Sequence, residues 1–214
     1  MRRAGLVSPP GLARAGLGAG RALLVALHLV LAPLLFVGNA FALADVSRRG
    51  LDVLRRAEIA GTGRRRVVIL AASDPMVAFY PALTAALLTP NLADTWQVLS
   101  AAKLDHRLTR TGPASLRLDM KGGRMMDGAF EGLFRSPRHP FALGDRVDLG
   151  GATVTVAAVD RGAPTAIDVH FDVPLDDPTL YLMEWRDGRL ARLSPPEVGA
   201  SVDLPWRPGP FRLF

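Results

Sequence analysis

An uncharged, apolar stretch near the N-terminus constrains this chain more than any other feature. It covers residues 22–44, ALLVALHLVLAPLLFVGNAFALA, and its clearly polar side chains are His28 and Asn39. As a helix rising about 1.5 Å per residue it would reach about 35 Å, and the hydrocarbon core of a bilayer is about 30 Å thick. We therefore predict a transmembrane helix over residues 22–44, with the lipid bilayer as its partner.

The same stretch fits a second interpretation, a cleaved secretory signal. Residues 22–37 would be its apolar segment, and Ala42-Leu43-Ala44 has the small-x-small pattern of a cleavage site, so that the mature chain would begin at Asp45. The basic segment before it would comprise Arg2, Arg3, Arg14 and Arg21. Both the apolar run and the basic segment are long for a signal peptide, which favours the retained helix, and the alternative stays open.

The distribution of charge argues against a nucleic-acid-binding domain. The chain has a net charge of +6, but residues 1–66 hold eleven arginines against three acidic residues. The remaining residues therefore carry a small net negative charge, so the folded part has no basic field for phosphates. The arginines flank the apolar stretch, where they can meet anionic lipid headgroups. We predict no nucleic-acid partner.

The pattern of the chain predicts five segments. Residues 1–21 form a disordered basic N-terminus, 22–44 the transmembrane helix, and 45–63 an amphipathic linker helix. Residues 64–194 form a soluble α+β domain that is rich in β-strands from residue 95, and 195–214 form a Pro-rich extended tail. The predicted fold class is thus α+β, with a transmembrane helix, a short strand–helix unit and a mostly antiparallel sheet or partial barrel.

The strand–helix unit has clear local signals. Residues 66–72, RVVILAA, are a short apolar run of the kind found in strands covered on both faces. Ser73-Asp74-Pro75 then offers a capping side chain and a proline for the first turn of a helix. In that helix Pro81 predicts a kink or a later start, and Thr89-Pro90 an end. One face is predicted to be apolar through Met76, Phe79, Tyr80, Leu83 and Leu87.

The clearest strand pattern lies at 166–173. Ile167, Val169 and Phe171 alternate with the polar residues Asp168 and His170, which predicts an apolar core face and a polar solvent face. Asp187-Gly188 between two strand-like runs predicts a tight hairpin.

No constellation in the sequence identifies a catalytic or metal site. Asp105, Asp168 and Asp172 could in principle join His106, His139 and His170 around a metal, but none of them has a recognised ligand spacing. The chain has no cysteine, which excludes thiolate ligands and nucleophiles. A solvated strand face explains the set better, and we expect no metal and no cofactor. His28 would indicate function if it faced other membrane helices, whereas a tolerated neutral imidazole is the simpler interpretation.

Ser73 follows a strand and precedes a helix, as the nucleophile of a hydrolase does. Its neighbours, Ala71-Ala72 and Asp74-Pro75, lack the G-x-S-x-G pattern that permits the sharp nucleophile turn. A capping role accounts for Ser73 and Asp74 fully. Hydrolase-like chemistry at this junction therefore remains an alternative, and the catalytic residues stay unknown.

Two stretches resemble known families. Residues 140–151, PFALGDRVDLGG, resemble the opening of the small β-domain in mechanosensitive channels of small conductance, which implies a channel-like β-module. More widely, HLVLAPLLF, VVILAASDPMVAFY, LTRTGPASLRLDMKGG and FDVPLDDPTLYLMEWRDGRL are similar to the C-terminal region of uncharacterised polytopic bacterial inner-membrane proteins. That resemblance implies a bacterial inner-membrane location, other membrane helices or subunits as partners, and a chain that corresponds to part of a longer protein. It supplies no catalytic residue.

From the sequence we expect a membrane-anchored accessory or interaction domain of a bacterial envelope protein, without catalysis of its own. The hydrolase-like enzyme near Ser73 and the channel-like module are the alternatives.

Overall fold

The computed structural model describes residues 20–59, 65–88, 92–128, 131–133, 135–136 and 138–211. The predicted disorder of the N-terminus falls almost entirely on residues 1–19, and the predicted helix end on Thr89-Pro90, so both lie outside the described residues. Contacts divide the chain after Ser47 into an N-terminal unit and a second unit, Arg48–Phe214. The two are described separately below.

The N-terminal unit contains most of helix α1, Gly20–Arg56, which is long and apolar enough to cross a membrane. Its apolar part is exposed along its length. Residues Leu27–Leu31 form a π-helical segment directly ahead of Pro33. A proline ring clashes with the carbonyl four residues earlier, and a wider turn relieves that clash while the helix continues. The ring Nδ1 of His28 lies 3.0 Å from the carbonyl oxygen of Leu24, a contact that pairs one polar ring atom within the helix itself.

Among the residues that the structure describes, the second unit contains the last residues of α1, one further α-helix and ten strands. The elements are β1 (Arg66–Ala71), α2 (Pro75–Leu88), β2 (Thr95–Val98), β3 (Asp105–Gly112), β4 (Ser115–Lys121), a 3-10 turn (Glu131–Leu133), β5 (Arg146–Asp148), β6 (Ala152–Asp160), β7 (Ala163–Phe171), β8 (Leu180–Arg186), β9 (Arg189–Arg192) and β10 (Ser201–Leu204).

These strands form two open sheets. A six-stranded sheet has the order β10-β3-β4-β7-β6-β5 and is antiparallel throughout. A four-stranded sheet has the order β2-β1-β8-β9, in which β1 runs parallel to both β2 and β8. The predicted α+β class with mostly antiparallel pairing is confirmed. The three parallel strands were not predicted, because β8 follows β1 by more than a hundred residues.

One hydrophobic core joins the two sheets. The four-stranded sheet contributes Val68 and Leu70 from β1 and Leu182 from β8, and the six-stranded sheet contributes Leu118 and Phe171 among others. Strand β1 is buried over Val67–Leu70, so the prediction of a strand covered on both faces is confirmed.

Two local predictions are also confirmed. In β7, Ile167, Val169 and Phe171 are at most 3% exposed, whereas His170 is exposed. Asp187 and Gly188 both have positive φ and join β8 to β9, the backbone that a tight Asp-Gly hairpin requires. Helix α2, by contrast, begins at Pro75 and contains Pro81, so the proline does not delay its start.

Candidate functional site

The best-placed candidate site lies at the carboxyl edge of the three parallel strands. In open sheets of this kind, ligands bind outside the carboxyl ends of the strands. The register pairs Ile69 of β1 with Val98, the last residue of β2, and Ala71, the last residue of β1, with Glu184 near the end of β8. Five polar or charged side chains at or near this edge are at most 7% exposed: Ser73, Asp74, Ser100, His106 and Glu184.

Ser73 and Asp74 start helix α2. One carboxylate oxygen of Asp74, Oδ1, accepts the backbone N–H of Val77 at 2.9 Å, and Oδ2 accepts the hydroxyl of Ser73 at 3.0 Å. Asp74 is therefore the N-cap of α2, as predicted from the sequence. The hydroxyl that would serve as a nucleophile is bound to a capping carboxylate.

A C-terminal strap, residues Pro205–Phe211, covers this junction. The indole N–H of Trp206 donates to the carbonyl of Ser73 at 2.8 Å, and its backbone N–H donates to Asp105 at 2.7 Å. Gly209 lies so close that a Cβ at this position would be 2.3 Å from Ser73 Oγ and 2.3 Å from Asp74 Oδ2. Only glycine fits there, and Ser73 is 1% exposed as a result.

The strap is itself fixed to the domain along its length. Trp185 donates its indole N–H to the carbonyl of Pro208 at 3.1 Å, and Arg49 donates to the carbonyl of Pro210 at 2.9 Å. Phe211 is buried, and its ring centroid is 6.4 Å from that of Tyr80. These contacts hold a segment of the Pro-rich tail in one place.

Ser100 and His106 form a second buried pair. The hydroxyl of Ser100 lies 2.8 Å from Nε2 of His106 and also accepts the N–H of Ala102 at 3.2 Å. Nδ1 of His106 has no partner of hydrogen-bond geometry among the described residues. Burial lowers the pKa of His106 to about 4, although the Leu104 backbone and the Asp105 charge oppose that change. The imidazole is therefore neutral at pH 7.

Glu184 is a buried acid on the β8 side of this edge. Its carboxylate lies 3.1 Å from the guanidinium of Arg186. Burial raises the pKa of Glu184, while the Arg186 charge acts in the opposite direction. The buried carboxylate of Glu184 is therefore paired with the guanidinium of Arg186.

The structure separates the histidines considered as metal ligands. His106 pairs with Met120 at one end of β4 and is buried, whereas His170 pairs with Ser115 at the other end and is exposed. Asp172 binds Arg66, and the carboxylate of Asp168 lies 3.6 Å from Arg117. Within the described part of the chain, no three His, Cys, Asp or Glu residues converge as a metal site would require.

The polar face of the six-stranded sheet forms a shallow groove of about 590 Å³. It is lined by Arg117, Arg146, Asp168, His170 and the hydroxyls of Ser115, Thr153 and Thr155 among others. Ser115 Oγ lies 2.9 Å from His170 Nδ1. This is the solvated strand face that the alternation in β7 predicts.

The sequence alone did not point to Ser100 or Glu184. Ser100 follows the short strand β2, and Glu184 lies within an apolar strand, so neither has a local motif. Their proximity to Ser73 depends on the parallel pairing of β1 with β2 and β8. The signal that could have revealed them is the short apolar strand before α2, since such strands are usually central in parallel sheets.

Searches against protein-family models, curated proteins and solved structures return no match for this chain.

Chemically, the candidate site consists of two separate hydrogen-bonded pairs. Ser73 is bound to Asp74, and His106 is bound to Ser100 rather than to Ser73. A hydrolase requires a nucleophile, a base within reach and space for the substrate. Here the hydroxyl of Ser73 is covered by Gly209, and the arrangement stabilises the junction of β1, α2 and the strap.

Proposed function

We propose that this chain is a membrane-anchored accessory or interaction domain. In this proposal the apolar part of α1 spans a bacterial inner membrane, and the β-rich unit offers a surface to other membrane helices or subunits. The observation that carries it is the exposed, uncharged stretch of α1, whose side chains include Leu29 at 72% and Phe36 at 74% exposure. Exposed apolar side chains over this length are typical of a helix that is surrounded by lipid.

The contacts of Ser73 favour a membrane anchor without catalysis over the hydrolase alternative. A hydroxyl that donates to a capping carboxylate beneath the strap has a structural role that accounts for its position. Turnover of a generic ester by the purified protein would favour the hydrolase. Assembly into rings in detergent would favour the channel-like module.

We expect the protein to stay with the membrane pellet after alkaline carbonate washing, and its intact mass to include residues 1–44. Carbonate releases peripheral proteins, whereas a spanning helix is held by its buried apolar surface. A mature N-terminus at Asp45 would contradict this prediction and support the cleaved signal.

A matched pair of variants sharpens this test. Leu29→Arg combined with Leu35→Arg places two charges within the span, each costing about 2.5–3.5 kcal/mol on insertion scales. Leu143→Arg adds one charge at a residue that is 73% exposed and lies outside the helix. The double variant should lose membrane retention, and the Leu143 variant should keep it.

The arginines on either side of the proposed span predict the side of the membrane on which the β-rich unit lies. Arg48, Arg49, Arg55 and Arg56 follow the predicted span closely, and Arg64 lies at the edge of the relevant window. Before the span lie Arg14 and Arg21, with Arg2 and Arg3 at the edge of the window. Basic residues near a span favour the cytoplasmic side, so the β-rich unit should face the cytoplasm. A C-terminal fluorescent protein that folds only in the cytoplasm should therefore be fluorescent. An active C-terminal alkaline phosphatase fusion without that fluorescence would contradict the prediction.

A further inference from the structure

Helix α2 has a second apolar face, which is exposed on the surface of the domain. Its buried side comprises Pro75, Val77, Ala78, Pro81, Thr84 and Ala85. On the other side, Leu83, Leu87 and Leu88 are 58%, 74% and 61% exposed. The spacing of Leu83 and Leu87 places them one turn apart on the same face.

This composition is unusual for the surface of a water-soluble domain. Helix α2 has no charged residue over its fourteen positions, and its exposed face is as apolar as its buried one. A helix on a solvated surface normally has a polar outer face. Leu83 and Leu87 belong to the apolar face predicted from the sequence, and in the structure both are exposed.

The neighbouring end of α1 supplies positive charge. Gly50 and Tyr80 are in such close contact that a Cβ on Gly50 would be 2.1 Å from the Tyr80 ring, which holds this part of α1 against α2. Arg55 and Arg56, one to two turns further along α1, are exposed. Exposed apolar side chains on one helix and exposed arginines on a helix in contact with it are the combination that binds anionic membrane interfaces.

From these observations we infer that the outer face of α2, Leu83, Leu87 and Leu88, lies in the interface of an anionic lipid bilayer. The inference rests on the proposed anchor, because a span in the same chain keeps the domain at a high effective concentration near the bilayer. Interfacial helices bury their apolar face about 5–10 Å into the headgroup and acyl boundary. Helix α2 is thus a second membrane contact, and Arg55 and Arg56 contact lipid phosphates.

The absence of cysteine from the sequence makes a site-specific test direct. Three single variants of the full chain, Leu29→Cys, Leu87→Cys and Leu143→Cys, are labelled with a nitroxide and placed in nanodiscs of phosphatidylcholine and phosphatidylglycerol. The three residues are similarly exposed, at 72%, 74% and 73%. Spin-relaxation measurements compare collisions with oxygen, which concentrates in lipid, and with a water-soluble nickel chelate. Tryptophan fluorescence checks that each variant is folded.

We expect the label at residue 87 to resemble the one at residue 29, with a higher ratio of oxygen to nickel collisions than at residue 143. Nickel collisions at residue 87 as frequent as at 143 would overturn the inference and leave the anchor intact. If the label at residue 29 also shows the low ratio of oxygen to nickel collisions found at residue 143, the proposed membrane anchor is itself contradicted. A label at 87 sheltered from both reagents would show protein over α2, and spin–spin broadening would identify a second copy. In nanodiscs of phosphatidylcholine alone, the ratio at 87 should fall.

Discussion

Replacing Phe171 by alanine is expected to lower the free energy of unfolding by about 3–5 kcal/mol, the usual range for truncating a buried aromatic side chain. Phe171 ends β7, is 1% exposed and belongs to the core between the two sheets. Urea unfolding of the full chain in mild detergent, followed by tryptophan fluorescence, measures the change. The three tryptophans, Trp96, Trp185 and Trp206, all lie in the second unit, so the signal reports on that unit.

His170→Ala is the matched control for this prediction. His170 is the preceding residue on the opposite face of β7, and its contact with Ser115 is exposed. Its replacement should cost less than about 0.5 kcal/mol, as at other surface sites. If His170→Ala destabilised the protein more than Phe171→Ala, the register of β7 would be wrong.

Acidification from pH 7 to pH 4 is expected to remove about 3 kcal/mol of stability through His106 alone. Burial lowers the pKa of His106 to about 4 in the folded protein, from an ordinary value of 6.5. Between these values the unfolded chain binds a proton that the folded protein does not, so stability falls as the pH falls. Each unit of pKa difference corresponds to about 1.4 kcal/mol. Urea midpoints measured between pH 7 and pH 4 should show this decline.

His106→Gln separates this effect from other titrations. Glutamine keeps a polar group near Ser100 but does not titrate, so its stability should depend less on pH between 6.5 and 4. The raised pKa of Glu184 acts with the opposite sign, because the folded protein then binds its proton at a higher pH than the unfolded chain. Glu184→Gln should therefore make the decline steeper. An unchanged pH dependence in His106→Gln would contradict the role assigned to His106.

Elements with a strong local signal could be predicted from the sequence. The alternation around Phe171 gave both the strand and its buried face, because successive side chains of a strand point to opposite sides. Asp187-Gly188 predicted its hairpin, since the turn requires positive φ at both positions. Asp74 was expected to cap α2 because a short acceptor side chain satisfies a free N–H of the first turn.

For helix α2, both of whose faces are apolar, the sequence did not show which face is buried. Leu83 and Leu87 were predicted to share an apolar face, and both are exposed, while Val77 and Ala78 are buried. Periodicity identifies the faces of a helix but cannot say which one meets the core when both are apolar. The burial of His106 was also not predicted from the sequence, because its neighbours Asp105 and Arg107 are charged and exposed.

The sequence by itself determined the apolar stretch of α1, the capped start of α2, the buried face of β7 and the turn at Asp187-Gly188. Each depends on residues within a few positions of one another, so local sterics and periodicity suffice. Only the tertiary structure decided that β1 lies between β2 and β8, that Ser100 meets His106, and that Gly209 closes over Ser73. These contacts join residues brought together by the packing of two sheets on one core, a collective energy that no short segment encodes.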